Sequence, residues 1–122
     1  MVVKFFIDKP IAPDELSGHI DPEGQIFTTG SGSEEYLGWI DYDEGDVFDE
    51  TDSLVGWAED NGAIIAYYPE TEEELEVGYV NQAGEVFCYD QDEKERYFGR
   101  LRNMHNAVEA AAALLLFLDR EA

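Results

Sequence analysis

The chain has 122 residues, 44% of them hydrophobic, with 29 acidic against 7 basic side chains and a formal net charge of −22. That length sets a single domain with enough apolar material for a core. The charge excludes binding to nucleic acid or anionic lipid by neutralisation, because such sites need clustered Lys and Arg.

Residues 2–8 read as a strand, β-branched and aromatic and closed by Pro10. This opening is too short and too soon charged for a signal peptide. With a connector through residues 11–17, it makes an N-terminal unit over 1–15. Residues 16–101 then carry two interleaved glycine series. The first is Gly18, Gly38, Gly56, Gly78 and Gly99, each opening a Gly-x-apolar step such as Gly38-Trp39-Ile40. The second is Gly24, Gly45, Gly62 and Gly84, each opening a segment such as Gly84-Glu85-Val86-Phe87. Recurrence at roughly 20 residues signals small units that stack to share a core. The turns Asp21-Pro22-Glu23, Asp41-Tyr42-Asp43-Glu44, Glu59-Asp60-Asn61 and Asn81-Gln82-Ala83 each run directly into a glycine. Asp, Asn or Pro beside a glycine that can take positive φ makes a tight hairpin. Four hairpins are therefore expected, joined by longer acidic loops at 28–35, 49–53, 66–74 and 88–96.

Alternation sorts the faces. Ile20, Ile40, Ala58, Val80 and Leu101 share a face with the first glycine series, and His19, Trp39, Trp57, Tyr79 and Arg100 take the opposite one. In the partner strands Ile26, Val47, Ile64 and Val86 lie on the glycine side, while Phe27, Phe48, Ile65 and Phe87 point away. Glycine recurring on one face implies the close approach of another element. The candidate is residues 103–119, free of Gly and Pro, rich in Ala and Leu, and apolar from Ala107 to Leu118 except at Glu109. Such a helix is buried on every side, and its bulk rises from Ala110 to Leu118. The expected fold is mainly β, a four-petal antiparallel hairpin ring or barrel around a buried central apolar helix. The lone strand 97–101 needs a partner, and residues 2–7 are expected to close the ring beside it.

Four Gly-x-apolar hairpins followed by an Ala/Leu-rich C-terminal helix resemble the four-fold β-flower domain family, over residues 16–118. The resemblance implies a short, wide antiparallel barrel with an apolar helix at its centre, similar in plan to the larger Tubby-like and scramblase-like barrels. The family brings no established activity, so no catalytic residues carry over. Tubby-like barrels bind phosphoinositides through basic residues. Here Lys4, Lys9, Lys94, Arg96, Arg100, Arg102 and Arg120 are scattered among acids, so no membrane partner is expected.

The equivalent positions His19, Trp39, Trp57, Tyr79 and Arg100 are the leading binding candidates. In the functional reading they ring a mouth and stack a small ligand or a cation. In the competing reading they pack one petal against the next, which fits a slot filled in every unit. Asp41 to Asp46 superficially matches a calcium loop. An EF-hand needs glycine sixth and glutamate twelfth, whereas here glycine is fifth and Asp52 twelfth, so no metal site is expected. Glu70, Glu72, Glu73, Glu74 and Glu76 read as a solvated loop, with a docking site for a basic partner as the alternative. His105, beside Asn103 and Asn106, reads as a capping or rim residue. His19 and Cys88 lack any local pattern of a nucleophile–base pair or metal site. Neither enzymatic activity nor a cofactor is expected. With Cys88 as the only cysteine, no internal disulfide forms and a cytoplasmic setting is favoured.

The leading functional expectation is a non-catalytic structural or interaction domain. A small-ligand-binding β-barrel and an acidic decoy for a basic or nucleic-acid-binding partner are the alternatives. Self-association stays open. The acidity itself has three readings: solubilisation, adaptation to a salty cytoplasm, or a docking face.

Overall fold

Period-two runs rich in Val, Ile, Phe and Tyr become ten strands: β1 (Val3–Ile7), β2 (Glu15–Ile20), β3 (Gln25–Gly30), β4 (Ser33–Asp41), β5 (Asp46–Asp49), β6 (Leu54–Ala58), β7 (Ala63–Tyr68), β8 (Glu73–Val80), β9 (Glu85–Tyr89) and β10 (Glu95–Arg102). One helix, α1 (Ala107–Glu121), follows. The computed structural model describes residues 3–7, 15–30 and 33–121, apart from the side chains of 15, 16, 29, 30, 33 and 118–121. Val2, Asp8, the connector residues 11–14 and the side chain of Leu118 lie outside the described part.

Every strand pairs antiparallel with its neighbours in sequence, and β1 pairs with both β2 and β10, so the barrel is closed. The hairpins β2–β3, β4–β5, β6–β7 and β8–β9 turn where the Asp-, Glu- or Asn-led segments run into glycine. A further petal is assembled from the two ends of the chain, with Phe6 opposite Arg100 and Ile7 opposite Gly99. Closure pairs β1 with β10 and so removes the two outermost strands that an open sheet would expose to sheet-to-sheet aggregation. The connections expected as long acidic loops are shorter. β3 runs to Gly30 and β4 begins at Ser33, and β7 runs to Tyr68 with β8 beginning at Glu73. Asp49 and Asp90 explain two of these tight returns. Asp49 Oδ1 accepts from the Thr51 and Ser53 amides, and Asp90 Oδ1 from the Asp92 and Lys94 amides.

The glycines of the first series have a different reason from the one expected. A Cβ at Gly18, Gly38, Gly56, Gly78 or Gly99 would overlap the carbonyl oxygen of Phe27, Phe48, Ile65, Phe87 or Phe6, respectively, in the adjacent strand. At Gly56 and Gly78 a helix side chain (Leu115 and Leu114) also stands in the way. Strand crowding, rather than the helix, is the common cause. Phe6 occupies in the end-built petal the place that Phe27, Phe48, Ile65 and Phe87 hold in the others.

Just before each of these glycines the pairing slips by one residue, leaving Ser17, Leu37, Val55, Val77 and Phe98 as bulges. A bulge bends and twists its strand and resets the alternation. Leu37 and Phe98 consequently turn inward and are buried next to an inward glycine.

The helix fills the lumen. Val108, Ala110, Ala111, Ala112, Ala113 and Leu114 are buried against Ile20, Ile26, Val47, Ile64 and Val86 from the strands. Phe117 meets Phe5 of β1 edge-on, with ring centroids 4.8 Å apart. Helix geometry begins at Ala107, with residues 103–106 forming the approach to it. Among the described residues no helix is long and apolar enough to cross a membrane.

Candidate functional site

His19, Trp39, Trp57, Tyr79 and Arg100 sit on β2, β4, β6, β8 and β10, half-buried on the outer face of the barrel. The structure distributes them one per petal around the outside and does not gather them at a mouth. Each lies directly across from the outward residue of its partner strand: Phe27, Phe48, Ile65, Phe87 and Phe6. His19 stacks on Phe27 at 5.3 Å, Trp39 on Phe48 at 4.4 Å and Tyr79 on Phe87 at 5.0 Å between ring centroids. The Arg100 guanidinium lies 4.7 Å over the Phe6 ring. Directly opposed aromatic pairs of this kind are a main stabiliser of antiparallel sheets. The contacts run within a petal. Phe27–Tyr36 and Phe87–Tyr97 then bridge from one petal to the next.

Carboxylates accept from the polar ends of this aromatic belt. Trp39 Nε1 donates to Asp52 Oδ1 at 2.7 Å, and the Tyr89 hydroxyl donates to Glu76 Oε2 at 2.9 Å. The Tyr79 hydroxyl is pushed up to about 12, first by its hydrogen bond to Glu95 and then by desolvation. Tyr89 is raised for the same reasons, with Glu76 as the acceptor. These tyrosines stay neutral and donating throughout the physiological range.

At the tight-turn end, the Glu109 side chain is buried, at 2% exposure. Its Oε1 accepts from the His105 amide at 2.6 Å and the Asn106 amide at 3.0 Å, and its Oε2 accepts from the Tyr42 hydroxyl at 2.8 Å. Asn106 Oδ1 in turn accepts from the Val108 amide at 3.0 Å. Asn106 and Glu109 therefore form a reciprocal capping box at the start of α1. The sequence carried this signal as Asn106-Ala107-Val108-Glu109 ahead of an apolar run, whereas the Tyr42 contact had no local trace. His105 Nδ1 lies 3.7 Å from the same carboxylate.

Cys88 is half-buried with its thiol pushed up by burial, which keeps it protonated and unreactive. Among the described residues, no three His, Cys, Asp or Glu side chains are grouped to hold a metal ion.

Several shallow grooves mark the surface. One of 530 Å³ lies at the tight-turn end, where Asn61, Tyr79, Asn81 and Met104 border the start of the helix. Two more flank the protruding β7–β8 hairpin. A groove of 480 Å³ is lined by Tyr68, Pro69, Glu70, Thr71, Glu73 and Leu75, and one of 400 Å³ by Leu75, Glu76, Val77, Tyr89, Asp90 and Glu93. Tyr68 and Leu75 are large apolar side chains left 45% and 49% exposed. The acidic run at 70–76 overshadowed them in the sequence, although Glu74-Leu75-Glu76-Val77 has the alternation of a half-buried strand.

The geometry defines a closed antiparallel β-barrel plugged by its own helix, with its polar chemistry on the outside. Comparison with protein-family models, with curated proteins and with solved structures gives no match.

Proposed function

We propose that this protein is a non-catalytic interaction domain whose acidic outer surface meets a basic protein partner. One observation carries the reading: the barrel lumen is occupied by α1, whose residues from Val108 to Leu114 are buried against the strands. A barrel that carries a small ligand keeps room for it inside. Here that room is taken, which leaves the outer face and the rims for recognition. With 29 acidic side chains against 7 basic ones, those surfaces carry a negative field that attracts cationic partners and speeds their encounter. A rigid closed sheet also holds its outward carboxylates and aromatic rings in fixed register, so little ordering is lost on binding. Membership of the β-flower family and a cytoplasmic setting belong to the same proposal. They are supported by the ring of hairpins around an apolar helix and by the single cysteine.

The test is affinity capture from an extract of the source cell on immobilised protein at low salt, with elution by rising KCl. Retention of proteins more basic than the extract average, released by salt, supports the reading. Retention with no bias toward basic proteins, or retention that salt does not disturb, overturns it.

A further inference from the structure

We propose that the open edge of β8, at residues 73–77, is the docking strand for an extended basic segment of the partner. The inference rests on the interaction-domain reading and gives it a place and a binding mode.

On one side β8 is fully paired, with Glu73, Glu74, Leu75 and Glu76 opposite Tyr68, Tyr67, Ala66 and Ile65 of β7. On the other side its pairing with β9 begins only at Gly78, opposite Cys88. Over residues 73–77, about 17 Å of strand at ~3.4 Å per residue, the ladder to β9 is missing. The 400 Å³ groove runs beside this edge, walled by Leu75, Glu76 and Val77 and by Tyr89, Asp90 and Glu93 across from them. Tyr89 reaches over to Glu76 at 2.9 Å and holds the two walls in place. β4 has a comparable free edge over residues 33–37, since its pairing with β5 begins at Gly38. The described groove and the half-exposed Leu75 favour β8.

A free strand edge offers backbone donors and acceptors to a single added strand, and the side chains on either side set which strand is accepted. Glu73, Glu74, Glu76, Asp90 and Glu93 surround this edge, and Arg96 in the same region is already paired with Asp90 at 2.9 Å. A second copy of the chain would set glutamate against glutamate, which disfavours edge-to-edge self-pairing. A strand alternating Lys or Arg with a β-branched residue satisfies the carboxylates and covers Leu75 together. Charge complementarity thus selects a basic extended segment over another copy.

The experiment uses the whole chain and two synthetic peptides of equal charge. One alternates lysine and valine, and the other has central prolines that cannot donate to a ladder. Binding is followed by calorimetry and by amide hydrogen exchange. The expected result is slowed exchange at residues 73–77 with the lysine–valine peptide and not with the proline peptide. Binding should weaken roughly tenfold in the double variant Glu74→Lys/Glu76→Lys. Equal binding of both peptides, protection elsewhere on the barrel, or dimerisation through residues 73–77 without peptide overturns the docking edge while leaving the interaction-domain reading in place. Failure of both basic peptides to bind, together with failure of affinity capture, overturns that reading as well.

Discussion

The Tyr42 hydroxyl and the Glu109 carboxylate, 67 residues apart in the chain, are joined by a 2.8 Å hydrogen bond that ties the β4–β5 turn to the start of the central helix. The same side chain accepts from the His105 and Asn106 amides, so one buried group fixes the helix cap and its seat in the barrel together. Glu109→Ala leaves those amides and the phenol without their acceptor, and a loss of about 2–3 kcal/mol is expected in urea unfolding. Glu109→Gln, which still accepts, should keep most of the stability. Tyr42→Phe should cost about 1 kcal/mol. Because both substitutions break one network, their double variant should fall short of the sum.

Closure by the N-terminal strand makes a prediction about neighbouring residues that face opposite ways. Phe5 is buried against Phe117, whereas Phe6 lies outside beneath Arg100 and Arg102. Phe5→Ala should lower stability by about 3–5 kcal/mol. Phe6→Ala should cost nearer ~1 kcal/mol, mostly through lost cation–π contact. Equal effects of the two in thermal melts would contradict the observed register.

Two turns share one hydrogen-bond pattern and differ in the residue that takes positive φ. Asn81 and Glu85 bracket a return with Gly84 at φ 81°, and Asp90 and Lys94 bracket one with Glu93 at φ 60°. A non-glycine residue in that region is strained by about 1 kcal/mol, partly offset by glycine's greater freedom when unfolded. Glu93→Gly should therefore stabilise by about 0.5 kcal/mol. Gly84→Ala should destabilise by more than 1 kcal/mol or so, since its Cβ would also stand 2.8 Å from the Leu101 carbonyl oxygen. Denaturant midpoints of the two variants should move in opposite directions.

The raised tyrosines set the alkaline limit. Tyr79 shifts from an ordinary 10.0 to about 12, and Tyr89 moves the same way. The folded state thus holds these protons longer than the unfolded chain does. Their contribution to stability is complete below pH 10, declines as the unfolded chain ionises above it, and is gone once pH passes through the folded value near 12. Tyrosinate absorbance should show a late-ionising component in the native protein. Tyr79→Phe should shrink that component and make the fall in melting temperature above pH 10 less steep.

What the sequence determined by itself was local. Glycine placed the tight turns because positive φ is a property of single residues, and alternation sorted Ile20, Val47 and Val86 from Trp39, Phe48 and Phe87 because side-chain direction follows strand period. The all-round apolar run of 107–118 required a surrounding sheet, which made the ring-and-helix plan legible. The helix cap also had a local signal in the spacing of Asn106 and Glu109, although the capping role was expected of His105. The tertiary structure decided what depends on partners distant in sequence. It placed Leu37 and Phe98 inward through bulges, since a slip in pairing resets the alternation that sequence period assumes. It showed that strand carbonyls, not chiefly the helix, exclude a Cβ at the first glycine series. It spread His19, Trp39, Trp57, Tyr79 and Arg100 around the outside, because a closed ring turns equivalent positions away from one another. The free edge of β8 also arises only there, where a long strand overhangs the shorter pairing offered by β9.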